Sequence, residues 1–294
     1  MALLASLRSR KLNGQTVGVM ITASHNPPGD NGIKLVDPMG EMLEGSWEAH
    51  ATALANAPTD EALAEAFERL TEDLALDPDV VARAVYARDT RSSGPHLVSA
   101  LLDGFRAAKV EYTDYKLLTT PQLHYITRCM NTKGTPFDYG EPTEKGYYEK
   151  TARSFQAALG GRKVSGSLTV DCANGVGGPK LSELLKYLPS AHEGGIDIKI
   201  VNDNIVQPER LNHQVHAYPS SRYNAMILRE PLVWSGFCEN QPTCTTCFSG
   251  GAFGTLLLAR WRCRSFDILF LRQRVKFPSS RWRSYRFPGS IVHR

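Results

Sequence analysis

Short apolar, β-leaning runs alternate with stretches of helical spacing over the first 200 residues. In the clearest helical stretch, Leu63, Ala66, Phe67 and Leu70 recur at intervals of three and four residues and form one apolar face. The pattern predicts strands over residues 16–21, 33–36, 81–87, 110–118, 167–171 and 196–201. It predicts helices over residues 42–54, 60–74, 92–108, 144–159 and 179–188, and a helix end before Gly14.

The order of these elements indicates the fold class. Residues 22–32 hold two prolines and three asparagine or aspartate residues, which predicts a loop between two strands. Residues 167–201 read as strand, Gly-rich turn, helix and strand, with Pro179 expected at the first helical position and Asp60 expected to cap the helix over 60–74. Strand, helix and strand in that order form a βαβ unit, so the chain is predicted to be α/β with largely parallel sheets.

Composition excludes several classes of protein and divides the chain in two. An apolar fraction of 42% and a charged fraction of 22% suit a soluble globular protein, and no apolar run approaches the roughly 20 residues of a membrane helix. Residues 1–214 carry a net charge of −5, whereas residues 215–294 carry +9 and four of the six cysteines. The other two, Cys129 and Cys172, do not suggest a disulfide framework, so a reducing compartment is expected.

Chemistry concentrates in the loop after the first strand. Ser24 follows a buried run and stands beside His25 and Asn26, with Lys34 ten residues further on. These residues offer a hydroxyl nucleophile, an imidazole and an ammonium group for proton or phosphoryl transfer. The alternative is that Ser24 and Asn26 only form hydrogen bonds with the loop backbone, and residue types alone leave both interpretations open.

Two further segments could bind anions. Arg88 and Arg91 lie at a strand end just before a predicted helix start, which is a plausible anion site. Alternatively, Arg88 pairs with Asp89 on the surface. The Gly-rich turn over residues 172–178 matches neither common phosphate-loop pattern, and tight packing of strand on helix explains it equally well.

Residues 22–28, Thr-Ala-Ser-His-Asn-Pro-Pro, and residues 30–35, Asp-Asn-Gly-Ile-Lys-Leu, resemble the active-serine loop of the α-D-phosphohexomutases. Further segments narrow the resemblance to the members that act on N-acetylglucosamine phosphates; they are residues 35–43, 88–91, 119–125, 171–175 and 211–214. The resemblance runs from about residue 4 to 214. It implies a phosphohexomutase-like fold, with mixed and parallel sheets flanked by helices, in an incomplete form.

The resemblance also implies a function. It is the interconversion of N-acetylglucosamine 6-phosphate and 1-phosphate through a phosphoserine and a sugar bisphosphate, for UDP-N-acetylglucosamine synthesis in the cytoplasm. Ser24 would be the phosphoserine and would bind Mg²⁺ through its phosphate. Lys34 would accept a proton and stabilise charge, with His25 as a further catalytic residue. Asn26, Arg88 and Arg91 would contact phosphates or support the site. No membrane partner is implied.

The chain departs from the family pattern in ways that predict a weak or inactive enzyme. We expect residues 1–160 to form a first domain without its N-terminal strand, residues 161–214 to begin a second domain, and residues 215–294 to be a basic tail outside the family. The aspartate-rich metal loop and the sugar-specificity loop have no counterpart. Residues 259–265 can be encoded by codons that, shifted by one base, read Leu-Asp-Gly-Asp-Ala-Asp-Arg, which indicates a frameshifted or mis-spliced tail.

Two alternatives stay open. The chain could be a related mutase for glucose or mannose phosphates. It could instead be a binding protein whose tail, rich in arginine from Arg260 to Arg286, holds nucleic acid, although a frameshift makes this less favoured. Cys244 and Cys247 have half the spacing of a zinc site, which the same frameshift would explain.

Overall fold

The computed structural model describes residues 1–164 and 166–213, and the backbone of residues 226–227 and 247–248. All of them lie within one compact unit, Met1–Leu257. The side chains of residues 215–294 are outside the described part. The expectations for the tail, its cysteine pair and its basic residues therefore stay predictions, as do the domain boundaries.

The first sheet has four strands in the order β2-β1-β3-β4. They are β1 (Thr16–Ile21), β2 (Ile33–Val36), β3 (Arg83–Arg88) and β4 (Glu111–Leu117). Strand β1 runs parallel to β3, which runs parallel to β4, whereas β2 is antiparallel to β1. The predicted mixed α/β sheet is confirmed, and the carboxyl ends of its three parallel strands lie at one edge.

Helices cover both faces of this sheet. They are α1 (Ala2–Lys11), α2 (Glu48–Ala55), α3 (Asp60–Asp73), α4 (Gly94–Ala107) and α5 (Thr120–Thr132). Alternating side chains of β1 separate two cores. Val17 and Val19 pack into the core that α1 and α4 complete, whereas Met20 packs against Leu123 and Ile126 of α5.

A smaller parallel pair follows. Helix α6 (Glu144–Leu159) ends at Gly160, whose φ of 57° is left-handed, as the paired glycines predicted. Strands β5 (Ser167–Asp171) and β6 (Asp197–Val201) then flank α7 (Gly177–Leu185), which confirms the predicted βαβ order. A third pair, β7 (Met226–Ile227) and β8 (Cys247–Phe248), is antiparallel.

Several local predictions were wrong. The helix predicted from residue 42 begins later, because Met42 bridges Val36 and a short 3₁₀ turn precedes α2. Thr59, not Asp60, caps α3: its hydroxyl accepts the backbone N–H of Ala62 at 3.2 Å. Helix α7 begins two residues before Pro179. Helix α5 was not predicted at all.

The two cysteines whose side chains the structure describes, Cys129 and Cys172, are both buried free thiols. Among the described residues, the helices are too short or too polar to cross a membrane.

Candidate active site around Ser24

The serine loop, residues 22–32, connects β1 to β2 and is closed at its base by a hydrogen bond from Thr22 N–H to the Gly32 carbonyl, 2.9 Å long. Ser24 has a φ of 52°, a left-handed conformation that a residue other than glycine seldom adopts. Its N–H donates to the Thr22 hydroxyl at 3.1 Å. The sharp turn places the half-buried Ser24 side chain beside the first residues of β2.

Lys34 is the immediate partner of the Ser24 hydroxyl. The antiparallel register pairs Lys34 with Met20, and this brings Lys34 Nζ to 2.9 Å from Ser24 Oγ. Partial burial lowers the pKa of Lys34, and the negative charge of Asp89 offsets part of that effect. A lysine of lowered pKa exchanges a proton more readily, and in its charged form it would stabilise a phosphate on Ser24.

The buried guanidinium of Arg91 binds backbone carbonyls of the serine loop. Its side chain is 0% exposed, and Nε pairs with Asp89 Oδ2 at 3.0 Å. Its other donors reach four carbonyl oxygens of the loop, those of Ser24, Asn26, Pro27 and Asp30, at 2.5–3.1 Å. Arginine has five N–H donors, and all five are used here.

Asp89 links this arginine to the loop. Its Oδ1 accepts the Arg91 backbone N–H at 3.0 Å, and its Oδ2 accepts the Thr22 hydroxyl at 2.7 Å. Because the same hydroxyl accepts the Ser24 N–H, a continuous chain of hydrogen bonds runs from the buried carboxylate to the serine backbone. The loop conformation therefore depends on residues that follow β3.

Asn212 reaches the loop from the chain that follows β6. Its side-chain amide donates to the carbonyls of Ser24 and Asn26 at 2.8 and 2.9 Å. Asn212 is buried, and its backbone N–H donates to the Ala173 carbonyl at 2.9 Å. The Gly-rich turn over residues 172–178 is thereby connected with the serine loop.

A small cavity of about 10 Å³ adjoins the serine, about the size of one water molecule. It is lined by Met20, Thr22, Ser24, Asp89, Thr90, Thr120, Gly175, Val176 and Leu211. The buried hydroxyls of Thr90 and Thr120 have no hydrogen-bond partner within the part of the chain that the structure describes. The lining therefore combines polar side chains, such as those of Thr22, Ser24 and Asp89, with apolar ones, such as those of Met20 and Leu211.

The predicted residues His25 and Asn26 lie beside Ser24, whereas the two arginines make contacts that differ from those expected. His25 and Asn26 follow Ser24 in the turn and are half-buried. Arg88 donates to the Asp89 carbonyl at 3.1 Å, and the ion pair with the Asp89 carboxylate is formed by Arg91, contrary to the proposed Arg88 pair. Because its donors are all engaged, Arg91 is suited to support the loop and not to bind a phosphate.

The described residues do not fit a complete magnesium site. Among them, no group of three or more His, Cys, Asp or Glu side chains is placed to hold a metal ion. Asp89 is the one carboxylate that lines the cavity, and both its oxygens are occupied by Arg91 and Thr22. Magnesium prefers near-octahedral oxygen ligands, and Ser24 alone, even with a phosphate, supplies too few.

Sequence reasoning missed Thr22, Asp89 and Asn212 as site residues. All three lie in segments that carried the family resemblance, residues 22–28, 88–91 and 211–214. Membership of these segments was the one indication that the three residues belong to the site, since nothing else in their local sequence indicates that they lie close together.

Comparison with known proteins identifies the family. Residues 4–62 and 55–135 match the model of the phosphoglucomutase/phosphomannomutase alpha/beta/alpha domain I. The phosphoacetylglucosamine mutase of Candida albicans is 48% identical over 226 residues, 71% of this chain and 40% of that protein. The human phosphoacetylglucosamine mutase is 44% identical over 218 residues, 72% of this chain and 38% of that protein.

Solved structures agree. The N-acetylphosphoglucosamine mutase of Aspergillus fumigatus, in complex with GlcNAc-6P and magnesium, has a TM-score of 0.70 at 48% identity and matches 84% of this chain and 48% of its own. A complex of that fungal enzyme with glucose 1,6-bisphosphate has a TM-score of 0.71 at 54% identity, over 75% of this chain and 42% of its own. The chain belongs to the α-D-phosphohexomutase family, and it spans about two fifths of the length of the curated relatives it matches.

Proposed function

We propose that this chain carries the phosphoryl-accepting part of a phosphoacetylglucosamine mutase, which interconverts N-acetylglucosamine 6-phosphate and 1-phosphate. The observation that carries the proposal is the contact of Lys34 Nζ with Ser24 Oγ at 2.9 Å, in a loop fixed by Arg91 and Asn212. The names of the matched relatives support the choice of sugar, because they are phosphoacetylglucosamine mutases.

In the proposed reaction, Ser24 and the sugar exchange one phosphoryl group. Ser24 Oγ attacks the phosphorus of a sugar bisphosphate; the new Oγ–P bond forms as the bond from phosphorus to the sugar oxygen breaks. Lys34, as the neutral amine, takes the serine proton and returns it to the leaving sugar oxygen. In the other direction, the free hydroxyl of a sugar monophosphate attacks the phosphoserine, the bond from phosphorus to Ser24 Oγ breaks, and the bisphosphate forms. The bisphosphate then turns round in the site, so that the phosphoryl group returned to Ser24 is the other one. Positioning and neutralisation of charge supply most of the catalysis in such transfers.

The remaining groups of the site have supporting tasks in this proposal. His25 and Asn26 stand next to the serine and would contact phosphate oxygens, and Arg88 and Arg91 would keep the loop in place. Magnesium would be the cofactor of the whole enzyme, bound through the phosphate on Ser24. Its further ligands would have to come from outside the described residues.

The chain by itself is expected to be weak or inactive as a mutase. Among the described residues, no group of three or more His, Cys, Asp or Glu side chains is placed to hold Mg²⁺, and phosphoryl transfer depends on neutralisation of charge. The free thiols of Cys129 and Cys172 support a cytoplasmic location, and UDP-N-acetylglucosamine synthesis would be the pathway served.

Phosphoryl uptake from glucose 1,6-bisphosphate tests the proposal without requiring turnover. The full chain is incubated with the bisphosphate and Mg²⁺, and intact mass and peptide mapping locate any phosphoryl group. We expect one group, on Ser24, that Ser24→Ala abolishes and Ser46→Ala, a change at an exposed serine, leaves in place. Modification at other residues, or none in a chain shown to be folded, would refute the role of Ser24.

Choice of sugar needs a second measurement. The rate at which the phosphorylated chain transfers its phosphoryl group is measured with each of three acceptors: N-acetylglucosamine 1-phosphate, glucose 1-phosphate and mannose 1-phosphate. Faster discharge to glucose or mannose phosphate would favour the related-mutase alternative. The alternative of a nucleic-acid-binding tail concerns residues outside the described part.

A further inference from the structure

Two side chains that are far apart in sequence bind the same pair of carbonyl oxygens. Arg91 Nη2 donates to the Ser24 and Asn26 carbonyls at 2.9 and 3.1 Å, and Asn212 Nδ2 donates to the same oxygens at 2.8 and 2.9 Å. A carbonyl oxygen has two lone pairs, so each oxygen is fully satisfied by one donor from each side.

We propose that Asn212 is a positioning residue, which couples the Gly-rich turn between β5 and α7 to the orientation of the Ser24 hydroxyl. This inference rests on the proposed function, since a hydroxyl needs to be oriented only if it receives a phosphoryl group. Asn212 touches neither Ser24 Oγ nor Lys34 through any hydrogen bond in the structure, so it would act through the loop backbone.

The backbone around Asn212 shows how the coupling is built. Asn212 has a left-handed φ of 56°, and its N–H is fixed to the Ala173 carbonyl. Asn174 Nδ2 donates to the Arg210 carbonyl at 3.2 Å, which ties the same segment to the turn a second time. Leu211 and Val176 line the same cavity as Thr22 and Ser24. A displacement of the turn would therefore reach the serine loop through the amide of Asn212.

The left-handed backbone of Ser24 depends on the hydrogen bonds that surrounding residues donate to the loop. At a φ of 52° the serine backbone is in a sparsely populated region that persists only when its surroundings enforce it. The Thr22 hydroxyl and Arg91 hold the Ser24 backbone from β1 and from the segment after β3, and Asn212 adds a donor from the segment after β6. With Asn212 removed, the loop keeps Arg91 but loses the donors that fix its second side, so the position of Ser24 Oγ relative to Lys34 Nζ becomes less defined.

The test compares two asparagines that share a backbone conformation. Asn212→Gly removes the amide without a penalty for the left-handed φ. Asn174→Gly is the matched control: its φ is 53° and its side chain ties the same segment, but not to the serine loop. Asn212→Asp keeps the size of the side chain and replaces the donor by an oxygen facing two carbonyl oxygens. Hydrogen exchange of residues 22–32 and the rate of Ser24 phosphorylation by glucose 1,6-bisphosphate are measured on the full chain.

We expect exchange in residues 22–32 to accelerate about tenfold in Asn212→Gly, as expected for lost hydrogen bonds to buried carbonyls, and at least as much in Asn212→Asp. Exchange in β1 and β3 should stay within twofold in all variants. Phosphorylation should slow about tenfold in both Asn212 variants and stay within twofold in Asn174→Gly.

The outcomes separate the possible failures. Unchanged loop exchange in Asn212→Gly, or acceleration spread equally over β1 and β3, would overturn the positioning role. Equal slowing of phosphorylation in Asn174→Gly would do the same. If the glycine variant does not fold, Asn212→Asp, which also removes the donor, is judged in its place against the same limits. A wild-type chain that is never phosphorylated would sink the proposed function, whereas the exchange data would still decide whether Asn212 holds the loop.

Discussion

Replacement of Arg91 by alanine tests whether the serine loop is held by one buried guanidinium. The change removes the ion pair with Asp89 and all five donors. The control is Arg106→Ala, which removes an ion pair with Asp103 whose two side chains are 65% and 68% exposed. Both variants lose the same chemical group, so their difference reports the effect of burial.

The magnitude follows from the groups left behind. Removing one partner of a buried ion pair typically costs about 3–5 kcal/mol, because the other charge stays buried without compensation. Asp89 would retain Thr22 as a donor and Lys34 as a nearby cation, which places the expected loss of unfolding free energy near the lower end, about 3 kcal/mol. The exposed Arg106 pair should contribute about 0–1 kcal/mol.

Urea unfolding followed by circular dichroism measures both losses. Asp89→Asn combined with Arg91→Ala provides a further check, because neutralising the stranded carboxylate should restore part of the stability lost in Arg91→Ala. A loss below about 1 kcal/mol in Arg91→Ala would refute the reasoning, since that is the range of an exposed pair. A double variant no more stable than Arg91→Ala would show that the stranded charge is not the cause.

Three further predictions concern single groups. Burial lowers the pKa of Lys34 in the folded chain, so between that lowered pKa and 10.5 the unfolded chain binds more protons than the folded chain. The unfolding free energy of wild type relative to that of Lys34→Met should therefore rise as the pH approaches 10.5. Urea titrations at several pH values measure this difference, and a difference that does not change with pH would contradict the reasoning. Burial raises the pKa of Cys172 to about 12, so little of the reactive thiolate is present at about pH 8.5 in the folded chain. Iodoacetamide should therefore label Cys172 at least ~100-fold more slowly in the folded chain than in urea, measured by peptide mass. Equal labelling rates would count against this prediction. Gly18→Ala should cost about 1–3 kcal/mol in urea unfolding, because its Cβ would lie 2.5 Å from Thr127 Oγ1. Gly45→Ala, with open space around its Cβ, should cost less, and equal losses would refute the packing reason.

The centre of the site could be predicted because its parts are close in sequence. Ser24 and Lys34 are ten residues apart and flank one loop between antiparallel strands, so their approach follows from the strand pattern. The residue types and the motif around them then indicated the chemistry. The family resemblance gave Lys34 a role in the chemistry of Ser24, and the structure adds the hydrogen bond between them.

The support of the loop could not be predicted in the same way. Asp89 lies 67 residues from Thr22, and Asn212 lies 188 residues from Ser24. Nothing in the local pattern indicates that Arg91 turns inward to backbone carbonyls, since an arginine beside an aspartate ordinarily suggests an exposed ion pair. A buried arginine is recognised only when its acceptors are known, and here four of them are carbonyls of a distant loop.

Helix α5 was missed for a different reason. It buries polar side chains such as Gln122 and Thr127 together with its apolar ones, which hides the helical spacing. A start signal was nevertheless present. Thr119 and Gln122 form a capping box, with the Gln122 side chain accepting the Thr119 N–H at 2.8 Å. Three residues of spacing between a threonine and a glutamine could have predicted where α5 begins.

The position of the site follows from the topology. The serine loop comes after β1, Asp89 and Arg91 come after β3, Thr120 begins the helix after β4, and the Gly-rich turn comes after β5. Side chains that gather at the carboxyl ends of parallel strands lie where α/β sheets generally bind ligands. The loop is rich in proline, asparagine and glycine and pairs few of its own carbonyls, so it takes its rigidity from donors on the neighbouring strand ends. A serine held by such external donors is fixed in position before any substrate arrives, which is the condition that phosphoryl transfer by positioning requires.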